Sequence, residues 1–369
     1  MDSDGSESKK TPLFDKHVAL KAKMVDFAGF RMPVLYNSIN AEHLLVREKV
    51  GIFDLSHMGE FFVSGKDAES FLQKVTVNDV SALLEWQIQY SCMCYPDGGI
   101  VDDLLVYRLP DRYMLVVNAA CLDKDFAWLK QNLSGDVKLE NDSDDYGLIA
   151  IQGRKAQKVL AKLTAFDLDS LPFYWAATAD IGGHEMLFSR TGYTGEDGFE
   201  LYVPADNCAD VWAKVIDAGR EFEMGPIGLG ARDSLRLEMK YMLYGNDIDK
   251  TTDPISAGLG WIVKLDKGDF IGRDNIESVR TNKPESKLVA FEMLEKAIPR
   301  KDYVIIGEGS EIGTVTSGGF SPSIQKGIGL GYVTREFSKI GRGLAILIRG
   351  KEVPAIVVKP PFYKEGSHR

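Results

Sequence analysis

At 369 residues the chain exceeds one ordinary core and has room for two or three domains. Its 44% hydrophobic and 27% charged residues are those of a soluble globular protein, and a net charge of -10 argues against a nucleic-acid surface, which needs a basic face. Four cysteines without paired spacing and five scattered histidines support neither a disulfide framework nor a zinc site, so reduced thiols in a cytosol-like compartment are expected.

The first ten residues, MDSDGSESKK, are polar and acidic. They have neither the apolar core of a secretory signal nor the Arg-rich, acid-poor character of a transit peptide, and they read as a disordered tail. No apolar run reaches the roughly 20 residues of a membrane span. The chain therefore reads as cytoplasmic, or as the processed form of an imported protein.

From Thr11 to Tyr36 the sequence reads as short strands and turns. A helix follows, with Asn40 as its cap, Glu42 in the first turn, Arg47 and Lys49 in the last, and Gly51 as its stop. Gly51 to Val63 then reads as strand, tight polar turn and strand. His57, in that turn, is better explained as a hydrogen-bonded structural residue than as an acid or base. Lys66 to Gln73 reads as an amphipathic helix, and Gln87 to Tyr95 as a strand that feeds the next stretch through Pro96-Asp97-Gly98-Gly99.

That stretch, GGIVDDLLVY from Gly98 to Tyr107, sets two carboxylates inside an apolar run. Successive side chains of a strand point to opposite faces, so Asp102 and Asp103 cannot enter the same pocket. Asp103 shares a face with Val101, Leu105 and Tyr107, and Asp102 with Ile100, Leu104, Val106 and Arg108. The first face is the more apolar, so Asp103 is expected to be the drier acid with the more perturbed pKa. Taken alone, the segment is better explained by acids that bind turn amides or a neighbouring arginine than by a catalytic group.

Tyr113 to Asn118 is the next strand, and Asn118 suits a ligand contact as well as it suits a cap to the following helix. Alternation of strand and helix continues through Leu148–Ile151 and Ala156–Leu163, which gives an α+β character. In RTGYTGEDGFELYV, Gly192, Gly195 and Gly198 permit a compact loop whose backbone could approach a ligand, although a hairpin turn accounts for them as well. Tyr193 opens that loop as an aromatic wall, and Glu200 leaves it on a strand, placed to accept two N–H donors from a planar heterocycle.

GLGARDSLRLEM, from Gly228, opens a helix with Leu235, Met239 and Met242 at the spacing of an apolar face. Arg232 has no acid three or four residues away, so either a salt bridge to another segment or an anionic or carbonyl-bearing ligand must neutralise it. No GxGxxG follows a strand and no Walker loop occurs, which disfavours a dinucleotide fold. Thr281 to Ser286 reads as a linker, and the short Gly- and Pro-punctuated runs beyond it as a small β-barrel or sandwich.

In this order, DFAGFRMPV, GIFDLSHMGE, GGIVDDLLVYR, RTGYTGEDGFE, GLGARDSLRLE, LYGNDI and IGTVTSGGFSPS resemble the T-protein family of the glycine cleavage system, the tetrahydrofolate-dependent aminomethyltransferases. The likeness runs from Thr11 to Tyr363. It implies a three-domain, cloverleaf-like folate-binding arrangement: residues 11–280 as two interleaved α+β domains and residues 284–364 as a C-terminal β-barrel, with 1–10 as the tail. The implied reaction moves the one-carbon unit from the aminomethyl-lipoyl arm of H-protein to tetrahydrofolate. Ammonia, 5,10-methylenetetrahydrofolate and dihydrolipoyl H-protein are its products, and no metal, flavin or nicotinamide is required.

Residue by residue, the resemblance makes Asp103 the catalytic aspartate, Glu200 the holder of the pterin's amino edge and Arg232 the ligand-binding arginine. It sets Tyr193, Tyr90, Met58, Asn118 and Trp261 along the pocket, and Lys364 at the folate's glutamyl end. The chain departs from the pattern at Met239-Lys240, where relatives commonly carry Ala-Gly, which should affect packing more than chemistry. The competing reading is a non-catalytic folate-binding protein of the same fold that assists iron–sulfur enzymes. Its characteristic Lys-Gly-Cys-Tyr loop is replaced here by Arg190-Thr191-Gly192-Tyr193. A bacterial cytoplasm, or a mitochondrial matrix for a processed eukaryotic form, is the compartment implied.

Overall fold

The computed structural model describes residues 8–368. Most of the expected tail lies outside the described residues, but Lys9 and Lys10 already pair in parallel with Phe30 and Arg31. They join Phe30–Leu35 and Lys23–Phe27 in a three-stranded sheet, and a short helix, Phe14–Ala19, interrupts what the sequence suggested were strands and turns only.

Two larger sheets follow. The five-stranded one runs Ile88–Cys94, Ile100–Arg108, Tyr113–Val117, Gly59–Ser64 and Lys138–Asn141 in spatial order, each pair antiparallel. The six-stranded one runs Ala176–Ile181, His184–Ser189, Gly198–Pro204, Tyr146–Gln152, Gly51–Asp54 and the two-residue edge Gly225–Pro226. Period-two alternation gives each sheet two apolar faces. The outer face of the five-stranded sheet packs on Ala68, Phe71, Leu72 and Val75, which the helix Ala68–Val75 brings to one side by its three- and four-residue spacing. The outer face of the six-stranded sheet packs on Ala156–Leu160 and Cys208–Gly219.

The inner faces meet each other: Phe62, Tyr107 and Val116 from one sheet share a dry core with Phe53, Leu148 and Tyr202 from the other. Ala231 and Leu235 from the helix Leu229–Met239 complete that core, while Leu237 of the same helix enters the core that reaches the C-terminal domain. The chain crosses between the two sheets more than once. The last unit, from Ser286 to Val358, is a closed six-stranded barrel rather than a sandwich, with Phe291, Ile305, Val315 and Ile346 filling its interior. Among the described residues no helix is long and apolar enough to cross a membrane.

Local signals shift some boundaries. Ser38, not Asn40, caps the helix Ile39–Glu48, its Oγ accepting from Ala41 N at 3.2 Å, a contact worth about 1 kcal/mol. Gly51 does not end that helix but begins a strand, and a Cβ there would overlap Ile227. The linker expected from Thr281 starts inside the last turn of Arg273–Asn282, and the chain turns at Lys283, with φ of 64°, ahead of Pro284.

Candidate functional site

Between the two sheets, and closed on one side by the helix Leu229–Met239, lies a cavity of about 730 Å³. Eight of the nine residues that the resemblance set on the pocket reach its wall: Asp103, Glu200, Arg232, Tyr193, Tyr90, Asn118, Met58 and Trp261. They come from seven separate stretches. Asp103 and Glu200 project from central strands of different sheets, Arg232 from the first turn of the helix, and Met58 from the turn between Gly51–Asp54 and Gly59–Ser64. Trp261, 65% exposed, stands at the mouth and stacks on Tyr90 with ring centroids 6.2 Å apart.

Strand pairing explains how Asp103 is held. Asp103 lies opposite Cys92, so Tyr90, two residues along, is on the same face and its hydroxyl donates to Asp103 Oδ2 at 2.8 Å. Asn118, which ends the adjacent strand, does not cap the following turn. Its side chain turns back, and Nδ2 donates to Asp103 Oδ1 at 3.0 Å, to Asp103 O at 3.1 Å and to Asp102 Oδ1 at 2.9 Å. Burial first, and the neighbouring Asp102 charge second, push the Asp103 carboxyl up to about 7, against the pull of Tyr90 and Asn118.

The expectation about which acid is drier is corrected. Asp102 is 0% exposed, on the face whose Leu104 and Val106 enter the outer core, whereas Asp103 is half-buried because its face opens on the cavity. Counting apolar neighbours along one strand cannot reveal that a face looks into an empty volume rather than a packed one. Both carboxyls are raised, Asp102 mainly by burial.

Across the cavity, Glu200 accepts a short hydrogen bond from Thr191 Oγ1, and Thr191 in turn meets Ser189 Oγ at 2.6 Å. Burial raises the Glu200 carboxyl, while Thr191 and the Arg232 charge draw it back. Arg232 makes no salt bridge among the described residues, and its guanidinium lies 4.5 Å over the Tyr193 ring. Of the two alternatives read from the sequence, the salt bridge to another segment is absent. Tyr193 is fixed from behind by Tyr241, stacked at 5.6 Å, and by a hydrogen bond to the Met242 carbonyl.

The glycines of the loop serve packing. A Cβ at Gly192 or Gly198 would overlap the Gln152 side chain, and Gly195, at φ of 82°, lies against Met239. They bring the loop down on Gln152 and Met239 and so hold Thr191 and Tyr193 at the wall. His57 also differs from expectation. It lines the cavity edge-on to Phe27 at 5.5 Å, its Nδ1 has no hydrogen-bond partner, and burial followed by the Arg232 charge lowers it to about 4, so it is a neutral ring.

Thr191, Tyr241 and Lys240 escaped the sequence reading as wall residues; the signal for Thr191 was its hydroxyl inside the same loop motif that contains Tyr193. Lys364 is exposed and stands apart from the cavity wall, which Pro360 and Pro361 reach instead. Among the described residues one group combines three possible metal donors, Asp102, Cys121 and Asp125, within 4.8 Å of one another. The Lys124 ammonium already sits 3.3 Å from the Cys121 sulfur and 3.6 Å from Asp125, and burial pushes the Cys121 thiol up, so the donor set is poorly suited to a cation.

Comparison with known proteins agrees with the geometry. The family model described as the GCVT N-terminal domain matches residues 13–267, and that described as the glycine cleavage T-protein C-terminal barrel domain matches residues 287–364. A Bacteroides thetaiotaomicron protein named aminomethyltransferase is 50% identical over 360 residues, covering 96% of this chain and 100% of the relative. Proteins of the same name from Chloroherpeton thalassium and Bacillus subtilis are 53% and 48% identical, each covering 96% of this chain and at least 98% of the relative. The crystal structure of glycine cleavage system aminomethyltransferase T from Bartonella henselae superposes with a TM-score of 0.92 at 33% identity, covering 98% of this chain and 99% of that one.

Proposed function

The chain belongs to the glycine cleavage T-protein family, and from that membership we propose how its cavity carries out the reaction. The protein is an aminomethyltransferase of the glycine cleavage system, a transferase that passes a one-carbon unit to tetrahydrofolate. The donor in this reading is the aminomethyl group on the lipoyl arm of H-protein. The carbon–sulfur and carbon–nitrogen bonds of that group break, and two carbon–nitrogen bonds form to N5 and N10 of the folate. Those two nitrogens each lose a proton; one ends on the lipoyl thiol and the other in ammonia. The carbon keeps its oxidation level, so neither flavin nor nicotinamide takes part.

Asp103 is the group on which this reading turns. It stands on the cavity wall, held at both oxygens by Tyr90 and Asn118, and is half-ionised near neutral pH. As a carboxylate it stabilises the positive charge of an iminium-like carbon, and at about 7 it is matched to receive a proton from a folate nitrogen. Glu200, steadied by Thr191, accepts from the amino edge of the pterin, and Arg232, with its charge uncommitted, meets the folate's electron-rich side. Tyr193, Tyr90, Met58 and Trp261 supply the apolar walls that exclude water. No metal is called for. Four buried, free cysteines suit a reducing compartment such as a bacterial cytoplasm.

The deciding experiment follows tetrahydrofolate-dependent ammonia release from aminomethylated H-protein, with wild type beside Asp103→Asn. Release by wild type alone supports both the donor and the catalytic acid. Equal release by the two proteins would remove Asp103 from the mechanism. Binding of tetrahydrofolate without release by either would return the chain to the non-catalytic reading.

A further inference from the structure

Behind Asp103, away from the cavity, lies a buried polar group the reaction does not use. Asp125, on the helix Leu122–Gln131, is 0% exposed, and neither of its carboxylate oxygens has a hydrogen-bond donor. Asp102, also 0% exposed, lies within the same 4.8 Å cluster and takes the backbone N–H of Asn118 at 3.2 Å and its side-chain amide at 2.9 Å. The groups facing the pair are Cys121, Lys124 and, beyond them, Tyr244 and Asp103. Lys124 is the lone cation among them. Its ammonium is 3.6 Å from Asp125, donates to the Val101 carbonyl and lies 3.9 Å over the Tyr244 ring.

Two ionised carboxylates at such separation, both dry and with one shared ammonium at the rim, repel each other while burial penalises each charge, so single ionisation of the pair is favoured. An oxygen without a donor is relieved if it carries the proton itself. We propose that Asp125 is a positioning residue: it and Asp102 share one proton, and the single negative charge that remains, facing the cavity through Asn118, sets the proton affinity of Asp103. The proton stays on the Asp125 side, where no other donor reaches, and points at Asp102, whose charge then aligns the Asn118 amide between the two strand acids. In agreement, burial first and the Asp102 charge second push Asp125 up to about 11. A metal in place of the proton would have to sit against the Lys124 ammonium. The functional part of the inference rests on the reading of Asp103 as the catalytic carboxylate; the shared proton itself does not.

Two substitutions separate the consequences. In Asp125→Leu the buried Asp102 keeps only its Asn118 donors and loses the proton shared with Asp125, so it takes up a proton itself. Asp103 then loses its charged neighbour and ionises more readily. Because the carboxylate form of Asp103 is the active one, the acidic limb of kcat/KM for ammonia release moves down by about one pH unit. Asp125→Asn keeps a permanent N–H donor toward Asp102 and brings the limb back. A merely structural Asp125 would lower activity at all pH values without displacing the limb. Infrared difference spectra of wild type against Asp125→Asn at neutral pH, in light and heavy water, need no turnover. They should show one protonated carboxyl, sensitive to deuteration, that the variant lacks.

An acidic limb that stays in place in Asp125→Leu, or moves equally in both variants, would overturn the tuning of Asp103. No difference in the protonated-carboxyl band would overturn the shared proton, as would one equivalent of zinc retained by wild type and lost in Asp125→Asn. Failure of ammonia release in wild type, with the infrared band present, would count against the Asp103 reading and leave the shared proton standing.

Discussion

Arg232 and Arg236 are one helical turn apart, yet they belong to two regions built on opposite rules. Arg236, 1% exposed, is saturated: it donates to Asp233 at 2.9 Å, Asp247 at 2.6 Å, Ser317 at 2.9 Å and the Tyr241 carbonyl at 3.1 Å. Glu238, two residues on, is equally committed, taking Arg47 at 2.8 Å, Ser323 Oγ at 2.8 Å and Ser321, and so tying the helix Ile39–Glu48 to the barrel. On the cavity side Arg232 rests on a tyrosine face, Glu200 on one hydroxyl, and His57 leaves Nδ1 without a partner. Where charge holds domains together every hydrogen-bonding position is filled from within the chain. Where it faces the cavity the partners are left out.

The largest effect should come from the saturated side. Glu238→Ala removes one of the two carboxylates that hold Arg47 in a dry hub, leaving Glu196 at 2.9 Å, and should cost about 3 kcal/mol in urea unfolding at pH 7. Burial pushes Glu238 up, but His43 and Arg47 outweigh it and hold it at about 2; His43 is itself kept below its usual value by burial, so Arg47 carries the charge. A depressed carboxylate stabilises fully above its unfolded value and loses that contribution as pH falls through the folded one. The deficit of Glu238→Gln relative to wild type should therefore shrink between about pH 4 and pH 2. A deficit that persists unchanged at pH 2 would show the hub to be packing rather than charge.

Asp103→Asn sharpens the contrast from the other side. Turnover should fall by about a hundredfold or more, with folate affinity little changed. Stability should move the opposite way. A carboxyl raised to about 7 favours the folded state fully below its unfolded value and loses that preference as pH rises through 7. The neutral amide escapes this loss, so the Tm of Asp103→Asn should gain on wild type progressively from about pH 4 to pH 8. A Tm gap independent of pH would contradict the ionisation assigned to Asp103.

Arg232→Met comes next. With no internal salt bridge to lose, it should shift Tm by no more than about 1 °C while weakening tetrahydrofolate binding about tenfold or more. A stability loss comparable to that of Glu238→Ala would erase the distinction between the two regions.

Much of this was legible in the sequence because the cavity residues lie in motifs whose local chemistry is unusual: acids inside an apolar strand, and an arginine without an i+4 partner. The barrel was legible through its turns. What the sequence could not show depends on distant packing. Asp125 reads as an ordinary acid in the first turn of a helix, and only the fold brings it to Asp102. Likewise, the Asp103 face opens on empty space only because the other sheet stands back from it. The loop glycines suggested ligand approach or a hairpin turn, whereas Gly192 and Gly198 make room for Gln152, some 40 residues earlier, and Gly195 packs on Met239.

The smallest effect concerns Lys240, where the two regions meet. It follows the last turn of Leu229–Met239 at φ of 60° and ψ of 33°, the left-handed position that most helices give to glycine. Its side chain lines the cavity half-buried, with no hydrogen bond or ion pair among the described residues, and burial lowers its amine below the usual value. Lys240→Gly relieves both the backbone strain and the cost of the unpaired ammonium, at the expense of greater freedom in the unfolded chain. The balance should be a gain of about 0.5–1 kcal/mol in unfolding free energy. A loss of stability would mean that the lysine is anchored by a partner, and would move it from the open side of the comparison to the saturated one.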